Sequence, residues 1–437
     1  MRRSWIIWAA LLVMAATACG PAGTLPPLEP TQTEALAPAS PPETQPPQPA
    51  ETLPPPTAPE TEPAAITPSA PLGPEIPPLR PGEAVEIQFI AMIDTDRGWA
   101  IGGKAGDWDH ILRTEDGGMR WKEVTPPEPT SATGSLRAVA IFRDISTAWV
   151  FYYPDWLEPQ YGASLAVRVW RTIDGGETWD AGDGPEVEFL GTQDSPPYFE
   201  SADPGSGWIL TRFGGVGMHR YPVYLLRSQD GGSSWAVSVD PYQGASIQGC
   251  RKSGMAVDGT GHVLLTVDNC PVSGAMVYLS EDGGGAWTEV QLPAPPGGEG
   301  WYPDSYCEGR SPQFLAAGFV RLGAMCRALA GDALEEYDLL YESRDGGRTW
   351  LALPYPGGDL LFLDGDHGYA LDLDLYFTAD GGRTWEKRKS VAWEGQFSFV
   401  DAEHGWAVAR AEDEIALVQT QDGGRTWSML EPTIAGE

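Results

Sequence analysis

The sequence predicts an all-β fold, a seven-bladed β-propeller of four-stranded blades set after a disordered Pro-rich linker. Three observations predict it. One short string, centred on Asp-Gly-Gly and closed by Trp, recurs seven times. A Gly-aromatic string stands before each copy. The chain also holds 53 Gly, 18 Trp, 15 Tyr and 12 Phe, and these residues show no helical periodicity, which points to strands and tight turns.

Residues 1–18 read as an export signal. Arg2 and Arg3 precede an uncharged, mostly apolar run from Trp5 to Ala18. That run is short of the roughly 20 residues a spanning helix needs. It ends in Ala16-Thr17-Ala18-Cys19, which resembles the lipobox of bacterial lipoproteins. The resemblance implies cleavage before Cys19, lipid on its thiol, and anchorage to the outer face of a bacterial cell membrane. An ordinary signal peptide beside an unrelated cysteine is the alternative. Residues 19–84 are Pro, Thr, Glu, Ala and Gln, with almost no apolar branched or aromatic side chains. Such a segment buries too little to offset chain entropy and is expected to be an extended spacer.

Residues 85–437 are expected to form the propeller. The chain carries 28 Lys+Arg against 61 Asp+Glu, a net charge of −33. This excess disfavours nucleic acid and anionic headgroups as partners. It leaves the membrane to the lipid anchor alone, and a monomer is expected.

The repeated strings are RTEDGGMRW, RTIDGGETW, RSQDGGSSW, LSEDGGGAW, ESRDGGRTW, FTADGGRTW and TQDGGRTW. Their aspartates are Asp116, Asp174, Asp230, Asp282, Asp345, Asp380 and Asp422. Trp121, Trp179, Trp235, Trp287, Trp350, Trp385 and Trp427 each follow five residues later. Asp accepts backbone N–H bonds and Gly enters φ > 0 freely, so each string predicts a hairpin turn. The Trp is expected to fold back and pack between sheets. The preceding string is clearest at Gly98-Trp99, Gly207-Trp208, Gly368-Tyr369 and Gly405-Trp406. Weaker copies are Ala148-Trp149, Gly261-His262 and Gly318-Phe319. Each unit then holds strand A, the strand B that opens on this string, strand C, the Asp turn and strand D. The A–B and C–D turns fall on one face, the B–C and D–A loops on the other.

The Asp turn resembles the Asp-box, or bacterial neuraminidase repeat, of sialidases and other glycosidases. The joint pattern of Gly-Trp-Ala and Asp-Gly-Gly-x-Thr-Trp is most similar to the propellers of photosystem II assembly and stability factors and their non-photosynthetic relatives. That resemblance implies seven blades and protein binding; fold likeness alone does not carry over a partner. Sialidases need three converging arginines, the first in a Phe/Tyr-Arg-Ile-Pro string. Here only Pro78-Leu79-Arg80-Pro81 is near it, inside the linker.

No catalytic constellation stands out. His110, His219, His262, His367 and His404 have no metal spacing with one another, and the last two sit in equivalent turns. No metal and no cofactor are expected. Two facing carboxylates suffice for glycoside hydrolysis, so a sialidase-like hydrolase acting on surface glycans is the second function class. The first is a binding or scaffold propeller that recognises a protein or glycan at the cell surface.

Four cysteines follow Cys19. Cys250 and Cys270 are symmetric about the Asp258–Gly261 turn, and Cys307 and Cys326 about the next blade's corresponding turn. Antiparallel partners sit close enough for disulfides, which predicts Cys250–Cys270 and Cys307–Cys326. The spacing between Asp turns is wider through the first five units than the last two. The added length is expected in the B–C and D–A loops, where function concentrates. Those loops carry Trp108, Asp109, Tyr153, Asp155, Trp156, Tyr161, Tyr221, Trp301, Tyr302 and Asp304. Two readings of these residues stay open: small local cores under the loops, or an exposed aromatic and acidic binding surface.

Overall fold

The computed structural model describes residues 76–127, 136–154, 164–188, 197–212, 221–242, 247, 249–268, 274–330, 333–411 and 414–436. Cys19, Asp155, Trp156, Tyr161 and Cys270 lie outside this set. Seven sheets follow one another along the chain, each built on a meander of four antiparallel strands, with a fifth strand in the sheets of blades 1 and 5. Blade 1 is Glu86–Met92, Gly98–Gly103, His110–Thr114 and Arg120–Glu123. Blades 2 to 7 begin at Leu136, Tyr198, Arg251, Tyr306, Asp359 and Glu394. The core lies between neighbouring sheets, so side chains on both faces of an inner strand are buried; Gly98–Gly103 is buried at every position.

The Asp turns are built alike in all seven blades. Both glycines have positive φ, as in Gly117 (75°) and Gly118 (95°), a region that L side chains rarely adopt. In blade 6, Asp380 Oδ1 accepts the Thr384 N–H at 2.9 Å and Oδ2 accepts the Thr384 hydroxyl at 2.6 Å. The Thr378 hydroxyl donates to Asp380 Oδ1 and accepts the Gly382 N–H. The first glycine's N–H reaches across to the A–B turn of its own blade: Gly117 to Asp96 O, Gly231 to Gly205 O, Gly423 to Glu403 O. Both turns therefore share one face.

These bonds hold the turn carboxylates below their ordinary pKa. The Thr178, Ser234 and Thr384 hydroxyls, followed by the N–H groups of the same residues, hold Asp174, Asp230 and Asp380 down to about 2. The Ala286 N–H leads in lowering Asp282. At Asp116, Asp345 and Asp422 burial pushes upward and is outweighed by turn hydrogen bonds. A depressed carboxylate stabilises the fold above its unfolded pKa, ~3.9 for Asp. That contribution is lost as pH falls through the folded value. The melting temperature is therefore expected to drop steeply between pH about 4 and pH about 2. Thermal melts across this interval check it, and an unchanged melting temperature at pH 2 would count against it.

The second glycine of each turn abuts the preceding blade. A Cβ on Gly347 would lie 2.9 Å from Leu264, and one on Gly424 2.1 Å from Leu375. Blade 1 repeats this against blade 7, where the corresponding distance from Gly118 to Leu417 is 3.5 Å. Strand B makes the converse contact. Trp99 Nε1 donates to Asp144 O at 2.9 Å, Trp149 Nε1 to Gly231 O at 2.8 Å, and Trp406 Nε1 to Gly117 O at 2.9 Å. The last of these joins blade 7 to blade 1 and closes the ring. A fifth strand reinforces the closure: Thr433–Ile434 pairs in parallel with Arg120 and Trp121 on the outer edge of blade 1. Ile434 also exchanges backbone bonds with Gly82 and Glu83.

Blade 5 departs from the expected pattern. Its innermost strand is split into Tyr306–Gly309 and Gln313–Ala316, both paired with Phe319–Ala330. Its added length is a long paired hairpin, Phe319–Ala330 with Ala333–Ser343, where the sequence suggested an irregular loop. Cys307 and Cys326 are register partners and form a disulfide with Cα atoms 4.0 Å apart. Cys250 is disulfide-bonded too; the predicted partner, Cys270, is outside the described residues.

Candidate functional site

The loop face of blade 1 gathers polar chemistry around one tryptophan. Strand Gly98–Gly103 turns through residues 104–109 into strand His110–Thr114. The turn is tight: the Asp107 N–H donates to Lys104 O at 2.8 Å, and Asp107 Oδ2 accepts the Lys104 N–H at 3.0 Å. Gly106, with φ of 85°, donates its N–H to Glu86 Oε1 at 3.0 Å. Trp108 is half-buried. Its carbonyl accepts the Ala138 N–H of blade 2 at 2.8 Å. The Arg137 guanidinium lies 5.3 Å from the Trp108 ring centroid and the Arg410 guanidinium 5.8 Å from it, within cation–π range. Arg137 comes from the innermost strand of blade 2 and Arg410 from blade 7. Arg410 also donates to the Gln88 carbonyl at 2.7 Å. One ring thus ties three successive blades at the inner rim.

Carboxylates flank it. Asp107 and Asp109 are both half-buried. Asp109 Oδ1 is buried, makes no hydrogen bond, and stands 3.6 Å from His110 Nε2. His110 is buried, with its side chain only 5% exposed. Its Nδ1 is 2.7 Å from Glu123 Oε1. Glu123 Oε1 also accepts the Thr125 hydroxyl, and Oε2 accepts the Leu79 N–H at 2.7 Å. Burial raises the Asp109 pKa; His110 lowers it and Asp107 raises it further. Burial opposes charge on His110, but the bond to Glu123 and the fields of Asp109, Glu123 and Asp107 outweigh it, so its pKa is raised.

The other expected site residues divide between a second cluster and the core. Trp301 stacks on Tyr337 with centroids 3.8 Å apart and planes 10° from parallel. Asp304 is exposed beside it, at the end of the 3-10 turn Tyr302–Asp304. Tyr302 belongs to the core instead. Its ring is buried, and its hydroxyl binds the Ala275 N–H at 2.8 Å, the Leu292 carbonyl at 3.0 Å and the Tyr341 hydroxyl at 2.9 Å. Tyr153 is likewise buried, among Phe151, Val167 and Val187. For these two, the local-core reading is the one the structure supports. Tyr221 is half-buried just before strand Val223–Ser228. Among the described residues, Trp108 and Asp109 therefore lie on blade 1, Trp301, Tyr302 and Asp304 between blades 4 and 5, and Tyr153 and Tyr221 apart from both on blades 2 and 3.

His110, Glu123, Arg137 and Arg410 were not anticipated at this site. The available signal was the string Asp107-Trp108-Asp109-His110, in which acids and an imidazole surround an aromatic within four residues. Glu123, Arg137 and Arg410 are brought in from other strands, and their sequence positions carry no such mark. A cavity of about 480 Å³ opens among blades 3, 4 and 5, lined by Glu200, Asp258, Gln313 and Phe314. Burial pushes the Glu200 carboxyl up to about 8. Asp258 is occupied by Thr260 and His262.

No family model matches the chain. A xyloglucanase from a Paenibacillus species is 25% identical over 227 residues, 48% of this chain and 21% of the relative. The chain thus spans about a fifth of the length of the relative it matches. An ulvan lyase structure covers 81% of this chain and 96% of its own at 12% identity, with a TM-score of 0.46. An α-L-arabinofuranosidase of Fusarium graminearum covers 68% and 94% at 12% identity, with a TM-score of 0.42. A sialidase, Hz136, covers 74% and 73% at 14% identity, with a TM-score of 0.39. These structural likenesses concern the fold alone.

Proposed function

We propose that this propeller binds a hydroxyl-rich glycan at the inner rim of blade 1, outside the cell, held there by lipid on Cys19. The observation that carries the reading is the half-buried Trp108, with the Arg137 and Arg410 guanidiniums near its ring and Asp107 and Asp109 next to it in the chain. Aromatic rings suit the apolar faces of sugars, and fixed carboxylates and guanidiniums give the hydroxyls directional partners. The similarity to a relative named a xyloglucanase supports a polysaccharide over a protein ligand. The acidic chain supports a neutral polysaccharide over a polyanion, because the domain's field repels the latter.

Affinity electrophoresis in gels cast with xyloglucan, with a neutral mixed-linkage glucan, or with an acidic polyuronate tests this. Retardation is expected in a neutral gel and not in the polyuronate. Trp108→Ala should weaken binding per folded molecule by about tenfold or more, as for a central interface aromatic. Unchanged retardation of the variant would remove the site, and retardation by the polyuronate alone would reverse the ligand class.

Hydrolysis is the second reading. One observation favours it: Asp107 and Asp109 bring carboxylate oxygens within 4.8 Å of each other, and Asp109 is the one whose burial favours the protonated form. Turnover of a chromogenic glycoside that disappears in Asp109→Asn would select it.

A further inference from the structure

The carboxylates and imidazole of the blade 1 loop have the arrangement of a metal-binding triad. One oxygen each from Asp107 and Asp109 and one ring nitrogen of His110 all lie within 4.8 Å of one another. Two ligand atoms on one zinc ion, each ~2.0–2.2 Å from it, sit roughly 3.3 Å apart at a tetrahedral angle. The Asp109 Oδ1 to His110 Nε2 separation of 3.6 Å is close to that and too long for a hydrogen bond.

Three further observations point to an ion, each independent of the acidity of the loop. The Asp109 Oδ1 atom is buried with no hydrogen bond, a costly state for a carboxylate. The His110 side chain is more than nine-tenths buried, and its Nε2 stands 3.6 Å from this oxygen. The backbone gives way to bring the groups together: a Cβ at Gly103 would lie 2.6 Å from His110 Cδ2 and 2.8 Å from Asp107 Cβ.

Glu123 completes the arrangement. A carboxylate only accepts, so the 2.7 Å contact places a proton on His110 Nδ1 and leaves Nε2 to supply its lone pair. Glu123 is itself held by the Leu79 N–H and the Thr125 hydroxyl. His262, His367 and His404 differ. Each turns Nδ1 onto an aspartate three or four residues earlier in its own A–B turn.

We propose that Asp107, Asp109 and His110 form a binding site for a divalent transition-metal ion of the zinc class, with Glu123 as the outer carboxylate that orients the imidazole. The imidazole ligand favours zinc over calcium or magnesium, which take oxygen donors. Half-exposed Asp107 provides the entry path, and water fills the remaining coordination position. The ion displaces any proton on His110 Nε2 to solvent. The site does not depend on the glycan reading, since it needs no sugar.

The test is calorimetric titration of the full chain, stripped with EDTA, with ZnCl2 and in parallel with CaCl2. One zinc ion per chain is expected, with calcium bound at least about a hundredfold more weakly. Glu123→Gln should weaken zinc binding by about 10–100-fold, as loss of an outer-shell partner does. His110→Ala should abolish it. Because His110 is buried, Asp107→Asn, at a half-exposed position, provides a variant that keeps the fold; it should weaken zinc binding by at least about tenfold at an unchanged circular dichroism spectrum. Absence of zinc binding, wild-type affinity in an Asp107→Asn/Asp109→Asn double variant, or equal affinity for calcium would each overturn the proposal. Zinc is titrated without glycan, so failure of the glycan panel leaves this result standing.

Discussion

Trp406→Ala is expected to destabilise the chain by about 3–5 kcal/mol, the range for truncating a fully buried Trp. Trp406 has 0% exposure, packs with Trp121, Leu417 and Val408, and donates its indole N–H to Gly117 O. That bond crosses from the last blade to the first, so its loss leaves a cavity and an unpaired carbonyl where the ring closes. Trp427 is the control. It is half-buried, and its indole nitrogen has no hydrogen-bond partner. Trp427→Ala should cost about half as much or less, since less apolar surface and no hydrogen bond are lost. Urea unfolding of the two variants measures the difference. Equal losses would contradict the closure role assigned to Trp406.

Arg321→Ala should destabilise by a similar ~3–5 kcal/mol, the range for removing one partner of a buried ion pair. Blade 5 has Arg321 where most blades place Trp or Tyr: it stands opposite Glu342 as Trp99 stands opposite Arg113, and it makes the contact to the next blade. Its guanidinium donates to Gly381 O and to Gly365 O, both in blade 6. It also pairs with Glu342 at 2.7 Å, with both side chains almost fully buried. Phe319 and Phe362 flank the guanidinium. Truncation orphans two carbonyls and leaves Glu342 with Arg344 as its remaining cation. Denaturant unfolding of Arg321→Ala checks this. A loss below 1 kcal/mol would show that the blade 5 to blade 6 contact rests on the phenylalanines instead.

Much of this architecture was legible because it repeats. Asp, two glycines and Trp at fixed spacing each have one physical use in a tight turn, so seven copies identify seven C–D hairpins. The Gly-Trp strings marked strand B even in degraded form: Ala148, His262 and Phe319 all stand at or beside the start of such a strand. The cysteine symmetry gave the Cys307–Cys326 register because antiparallel pairing is itself symmetric about the turn.

The unread features are those that do not repeat. Nothing in Thr433-Ile434 marks a parallel partner for Arg120 and Trp121, since a two-residue strand takes its identity from the edge it meets. The split inner strand of blade 5 and its extended hairpin depend on pairing over distance, which local composition does not encode. Loop aromatics were ambiguous for a related reason. Tyr302 and Trp301 are adjacent in one Gly/Pro-rich loop, yet one is buried with three hydrogen-bond partners and the other is half-buried against Tyr337. Only the packing of blade 4 against blade 5 separates them. At the candidate site, Trp108 and Asp109 were visible as loop residues out of place, whereas Arg137 joins them from the next blade and Arg410 only because the ring closes.

We propose that ligand meets the protein at the inner rim of blade 1. Hydrogen–deuterium exchange of the full chain with and without saturating xyloglucan oligosaccharide tests it most directly. Slowed exchange is expected across residues 104–110 and at the Ala138 amide, whose partner is Trp108 O, with the seven Asp-Gly-Gly turns unchanged. Protection confined to those turns, with residues 104–110 exchanging as before, would place the ligand on the opposite face and contradict it.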